Sequence, residues 1–285
     1  MSKIKKLSKQ YFPPKLLEIP DPPDKLYIRG ELPNFEAKIL GVVGARRNTP
    51  YGKDVCEKLI TSLRGKPVII VSGLAVGIDT IAHKAALNAG LTTIAVPGSG
   101  LDDKVLYPSI NRKFAKTIIE HNGCLLSEFE PNFVSTQWAF PKRNRIMAGM
   151  SDAILIIEAE RKSGTLITAR LATEYNRDVF AVPGSIFQKN SEGPHLLLRI
   201  GATPITSPQD LHQALGFDVS ESIERNYDDC GEQEKMIIKI LREPLSRDEL
   251  IEKLEIPASE ANVLLSLLEM KGHIRESLGE IRLIL

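Results

Sequence analysis

The chain has 285 residues, 42% of them hydrophobic and 26% charged, enough for one large folded unit and one small one. Its basic first ten residues lack a secretion signal's apolar segment, and no run is long enough to span a membrane, so a cytoplasmic protein is expected. The net charge of +1 hides a split: residues 1–217 carry 28 Lys/Arg against 20 Asp/Glu (+8), and residues 218–285 carry 9 against 16 (−7), which assigns a polyanionic partner to the first part.

Residues 1–33 read as loop, punctuated by Pro13, Pro14, Pro20, Pro22, Pro23 and Pro33. Short apolar runs then alternate with helical patterns. Strands are expected at 39–43, 68–71, 93–96, 125–126, 153–157, 179–182 and 204–205. Near-continuous apolar runs mark strands covered on both faces, hence a mainly parallel, doubly wound, Rossmann-like α/β sheet. Thr49-Pro50 reads as a helix start, Gly90 and Gly201 as helix stops, and Ser207-Pro208 opens a last helix that Gly216 ends. The expected domains are 1–217, an acidic linker 218–231, and 232–285. In the tail, helices are expected over about 232–242, from the capping box Ser246-x-x-Glu249 to Leu254, and over about 258–271, where Val263, Leu264, Leu267 and Leu268 form the apolar stripe. A hairpin of 273–277 and 281–284 completes a winged-helix plan.

Several motifs fall where the strands of such a sheet end. Gly41-Val-Val-Gly-Ala-Arg46 presents backbone N–H groups and Arg46 to an anion; it is not the dinucleotide fingerprint. Ser72-Gly-Leu-Ala-Val-Gly-Ile-Asp79 offers a hydroxyl at Ser72 and close backbone approach at Gly73, with Asp79 expected as a helix cap and His83 as a packing residue. Pro97-Gly-Ser-Gly100 is another glycine loop, and Tyr107 is expected to pack. The strongest signal is Phe140-Pro-Lys142-Arg143-Asn144-Arg145, read as an exposed basic cluster beside two aromatics, Trp138 and Phe140. The cations suit phosphates and Phe140 suits a base. Lys162-Ser163-Gly164-Thr165 has the form of a phosphate-binding helix N-terminus but lacks the P-loop pattern, so it gives no support for ATP hydrolysis. Cys56, Cys124 and Cys230 are far apart and without CxxC spacing. That argues against a disulfide framework or zinc site, and small buried side chains are expected. No metal, cofactor or catalytic constellation is expected.

Taken together, these motifs resemble the DNA processing protein A family (DprA, also called Smf), over nearly the whole chain. They run from Ile19-Pro-Asp-Pro-Pro23 through Val43-Gly-Ala-Arg46, Ser127-Glu-Phe129, Phe140-Pro-x-Arg-Asn-Arg-Ile146 and Ser163-Gly-Thr-Leu-Ile-Thr-Ala-Arg170 to Ala181-Val-Pro-Gly-Ser185. The resemblance implies an extended Rossmann fold that binds single-stranded DNA in a basic pocket, dimerises, and hands the strand to RecA recombinase in transformation. Carried onto this chain, it implies Arg46, the Phe140–Arg145 cluster and the Ser163–Thr165 loop as DNA contacts. Ala45 stands where the family usually has Ser, and His195 where many members have Asn. The helical domain that precedes the core in many members is not expected, so no role of it is carried over.

Two other readings compete. A nucleotide-processing enzyme of the phosphoribohydrolase type needs a carboxylate at a glycine loop, for which Glu158 is the best candidate and Glu160 and Glu174 weaker ones. A winged-helix regulator needs a basic recognition helix. The expected one carries Lys271 against Glu260 and Glu269.

Overall fold

A computed structural model of the chain describes residues 3–217, 229–241, 243–254, 256–277 and 279–283. The chain divides into two units, Met1–Val219 and Ser220–Leu285, each described by itself. The first begins with strands β1 (Lys5–Leu7), β2 (Leu26–Gly30) and β3 (Lys38–Val43). Strand and helix then alternate: α1 (Pro50–Ser62), β4 (Val68–Ser72), α2 (Ile78–Asn88), β5 (Thr93–Ala95), α3 (Arg112–Glu120), β6 (Cys124–Ser127), α4 (Ala139–Met150) and β7 (Ala153–Ile156). The unit ends with α5 (Gly164–Glu174), β8 (Asp178–Ala181), α6 (Glu192–Arg199), β9 (Thr203–Pro204) and α7 (Pro208–Ala214).

The strands form one sheet in the order β1-β2-β6-β5-β4-β3-β7-β8-β9. From β6 to β9 every neighbouring pair is parallel, with Leu40 opposite Ile70 on one side of β3 and Ala153 on the other. The apolar runs are buried on both faces by alternation. Ile39 and Val43 of β3 join a core with Ile154, Ile156 and α4 residues Ile146 and Met150. Leu40 and Val42 face the other way, into a core with Cys56, Ile60, Ala82 and Ala86 of α1 and α2. The helix caps follow the sequence: Thr49 accepts from the Gly52 N–H, and Ser207 forms a capping box with Asp210.

The reading of residues 1–33 as loop is corrected. β1 and β2 extend the sheet antiparallel to each other, and β2 pairs antiparallel with β6, Tyr27 opposite Ser127. The prolines at 13–23 punctuate the connection between these strands without excluding the strands themselves. In β2 the charged Arg29 is buried among apolar neighbours, bound to Asp103 at 2.5 Å, which hides the apolar run.

The second unit contains α8 (Glu232–Ile240), β10 (Leu245–Ser246), α9 (Arg247–Leu254), α10 (Ala258–Met270), β11 (Ile274–Ser277) and β12 (Glu280–Leu283). The sheet order β10-β12-β11 makes three helices and a small antiparallel sheet, a winged helix. Ser246 and Glu249 exchange the two bonds of a capping box. The apolar stripe of α10 is corrected. Ala261, Leu265 and Leu268 are buried, while Val263 (59% exposed) and Leu267 (42%) face away from the core. Apolar residues occur nearly all round this helix, so spacing alone does not select the packed face. Of the expected linker, residues 218–228 lie outside the described residues.

Candidate nucleic-acid interface

The chain runs from β3 outward through β4 and β5 to β6, then returns to β7, laid against the free side of β3. The sheet reverses direction between β3 and β7, and in open α/β sheets ligands bind beyond the carboxyl ends of the strands at such a point. A pocket of about 350 Å³ opens there. Its floor is the Gly44-Ala45-Arg46 turn after β3, and its sides are α4 and the start of α5. Arg46, Arg47, Arg143 and Lys162 line it, against the carboxylates of Asp79 and Glu160.

Arg46 and Lys162 are exposed. The Arg46 guanidinium lies over the Phe140 ring, 5.1 Å from its centroid. Phe140 is half-buried and meets the ring of the partly exposed Tyr107 at 5.6 Å. Gly98 lets the Phe140 ring approach, because a Cβ there would sit 2.6 Å from Cδ1. The result is a cation–aromatic plate at the pocket mouth, the kind of surface on which a base stacks and a phosphate is held.

The N-terminus of α5 supplies the opposite wall. Ser163 caps it, accepting from the Thr165 N–H at 3.2 Å. Thr165 donates to the Gly44 carbonyl at 3.3 Å, and Asn144 Nδ2 to the Gly164 carbonyl at 3.3 Å. These two bonds fix the α5 start to the β3 turn and to α4. The partial positive charge of the helix end then falls on the pocket.

Arg143 is the buried member of the set. Its guanidinium donates to the carbonyls of Gly73, at 2.5 Å, and Val96. Gly73 leaves room for it: a Cβ there would overlap the guanidinium and force it from this position. Burial pushes Asp79 up and Arg143 down to about 10, and each opposes the other's shift by holding it charged. Asp79 Oδ2 also accepts from Gly73 N and Ala75 N at 3.1 and 3.3 Å. The 73–79 loop is thus tied from inside by a carboxylate, and the guanidinium is locked where it reaches the pocket.

Several sequence expectations are corrected here. The basic cluster is not a solvated face: Arg143, Asn144 and Arg145 are buried, and Lys142 is the exposed one. Arg145 does not line the pocket; it pairs with Glu128 and donates to the Asp21 carbonyl at 2.6 Å. Lys142 stands 3.8 Å from the same Glu128, outside the pocket. Ser72 is fully buried, its hydroxyl donating to Val42 O at 2.6 Å, so it ties β4 to β3 instead of facing a ligand. Gly73 serves by making room for Arg143. Asp79 is no cap: Gly77, with φ 83°, holds that position. His83 is buried and bonded to Thr93 at 2.7 Å, the expected packing role. Glu158 is spent on Thr49 and Asn190, bracing the start of α1. His195 binds the backbone of Gly184. Sequence reasoning missed Arg47 and Asn190 at the pocket. Arg47 follows Arg46 directly and was legible. Asn190 is brought in from beyond β8, where it donates to the Arg47 carbonyl at 3.0 Å, and no local pattern marks it.

A Rossmann-like unit with a basic crevice at its switch point, followed by a winged helix, is a narrow class of protein. Residues 3–216 match the family DNA recombination-mediator protein A, and residues 231–280 match the DprA winged helix domain. The chain belongs to the DprA/Smf family. It is 41% identical over 208 residues to Protein Smf of Escherichia coli, covering 73% of this chain and 55% of that one, so it spans about half that relative's length. With the DNA processing protein DprA of Streptococcus pneumoniae the identity is 44% over 200 residues, 70% of each chain. The solved structure of DNA processing protein A from Helicobacter pylori, described for its single-stranded DNA binding mode, overlays with a TM-score of 0.68 at 33% identity, covering 75% of this chain and 98% of that one. Among the described residues no helix is long and apolar enough to cross a membrane.

Proposed function

We infer that this chain binds single-stranded DNA without sequence preference in the pocket between β3 and β7, and that it acts as a binder and not as a catalyst. The observation that carries this reading is the plate of Arg46 on Phe140 facing the α5 N-terminus across a basic cleft. Phosphates would sit between Arg46, Lys162 and the α5 amides, with a base against Phe140. A base laid on Phe140 is held through its ring face, which every base offers, so the binding is sequence-tolerant. The H. pylori relative's single-stranded DNA binding supports the same partner.

The wider role follows the family. The protein would protect incoming strands in the cytoplasm and load RecA recombinase on them during transformation, working as a homodimer. Leu196 on α6 and Ile200, the residue that caps its C-terminus, stand four residues apart and are exposed, Ile200 by 73%, which supports the end of α6 as the homodimer surface. A gel-shift comparison of single-stranded and duplex DNA of the same sequence tests the reading. Preferred retention of the single strand is expected, and equal retention of both contradicts it.

A further inference from the structure

We propose that the winged-helix unit holds a divalent metal ion of the zinc class, bound by Asp229, Cys230 and His273. The three donors come from the two ends of that unit: Asp229 and Cys230 precede α8, and His273 follows α10 just before β11. One ligand atom from each lies within 4.8 Å of the others. His273 Nε2 is 3.0 and 3.1 Å from the two Asp229 oxygens, and the Cys230 sulfur is 3.6 Å from Oδ1. Zinc bonds of about 2.0–2.3 Å at tetrahedral angles place donors about 3.3–3.6 Å apart; the separations from Asp229 are already close to that range, and the cysteine sulfur and the histidine nitrogen lie within 4.8 Å of each other.

The charges also match. Lys271 stands beside the cluster, but both Glu234 oxygens hold its ammonium, at 2.7 and 2.8 Å, and its charge is matched there. Asp229 and the Cys230 thiolate then supply two negative charges for a dication, and the neutral imidazole supplies none. On binding, the sulfur–metal bond forms as the thiol proton leaves to solvent. A mixed sulfur, nitrogen and oxygen set suits zinc and disfavours magnesium or calcium, which take oxygen ligands. The half-exposed Asp229 leaves the fourth position to water.

A purpose is plain from the topology. A unit below about 70–80 residues has a small core and is commonly stapled by a metal or disulfides. Here the ion would pin the start of α8 to the base of the wing across 44 residues of chain. The spacing is not a CxxC pattern, so the sequence conceals it.

Cobalt(II) is the probe, titrated into the full chain after chelator treatment, with zinc as competitor. One equivalent should produce a sulfur-to-cobalt charge-transfer band that zinc abolishes. Cys230→Ser should remove the band, and Asp229→Asn and His273→Gln should each weaken cobalt binding at least tenfold. Lack of the band at stoichiometric cobalt, or its full strength in Cys230→Ser, would overturn the proposal. If Cys230→Ser does not fold by circular dichroism, the two partly exposed variants decide, and unchanged affinity in either would also overturn it.

Discussion

At the scale of single residues, burial separates two kinds of arginine in one pocket. Arg46 is exposed and lies on Phe140. Arg46→Ala should leave the melting temperature unchanged and weaken single-stranded DNA binding by about 1–3 kcal/mol, the range for charge-assisted hydrogen bonds. Arg143→Ala should fail differently. It strands the buried Asp79 and the carbonyls of Gly73 and Val96, and removing one partner of a buried pair costs about 3–5 kcal/mol. Thermal unfolding beside DNA titration checks both: equal melting temperatures for the two variants would contradict this division. The identity of these residues was legible in the sequence, but their depth was not. A run of Lys, Arg, Asn and Arg looks solvated, and only Asp79 and Glu128, 64 and 15 residues before Arg143, reveal that two of its members are internal counter-charges.

His83 gives a second residue-scale test. Burial, assisted by the nearby Arg143 charge, lowers its pKa to about 3. The unfolded chain therefore binds a proton between about pH 6.5 and 3 that the folded chain does not. The stabilisation is complete above pH 6.5 and is lost as pH falls, by about 1.4 kcal/mol per unit. His83→Gln should flatten the pH dependence of unfolding by about that slope across pH 6 to 4. An unchanged slope would mean His83 is protonated in the folded protein.

At the scale of elements, the proposed reading gives the α5 N-terminus to the DNA and the end of α6 to the homodimer. Leu196→Glu with Ile200→Glu should shift a homodimer to monomer in sedimentation while single-stranded DNA still binds, more weakly for the lost second site. A dimer that persists in the double variant moves the interface elsewhere. The parallel strands were readable because their faces are both covered, which leaves continuous apolar runs such as 39–43 and 153–156. β1 and β2 were not, because β1 is a lysine-rich edge strand whose charges face solvent, and β2 carries a buried arginine. The pocket's position at the β3–β7 reversal depends on strand order, which periodicity does not encode.

At the scale of the whole molecule, charge differs sharply between the two parts of the chain. Residues 1–217 sum to +8 and the remainder to −7. The winged-helix α10 carries Glu260 and Glu269 and exposes Val263, Leu267 and Met270, an apolar surface unsuited to phosphates. A chain ending near residue 217 should therefore keep its DNA dissociation constant within about threefold, under roughly 0.7 kcal/mol. A tenfold loss in a folded truncation of unchanged oligomeric state would put DNA on the winged helix.

The central claim is that phosphate contacts in one basic crevice hold the strand. Titration of fluorescent oligo-dT at several salt concentrations measures it most directly. Three or four phosphate contacts predict a log–log slope of about −2 to −3 for each binding unit, and Arg46→Ala should reduce it by about 0.7. A flat salt response, or a slope unchanged by Arg46→Ala, would contradict the account.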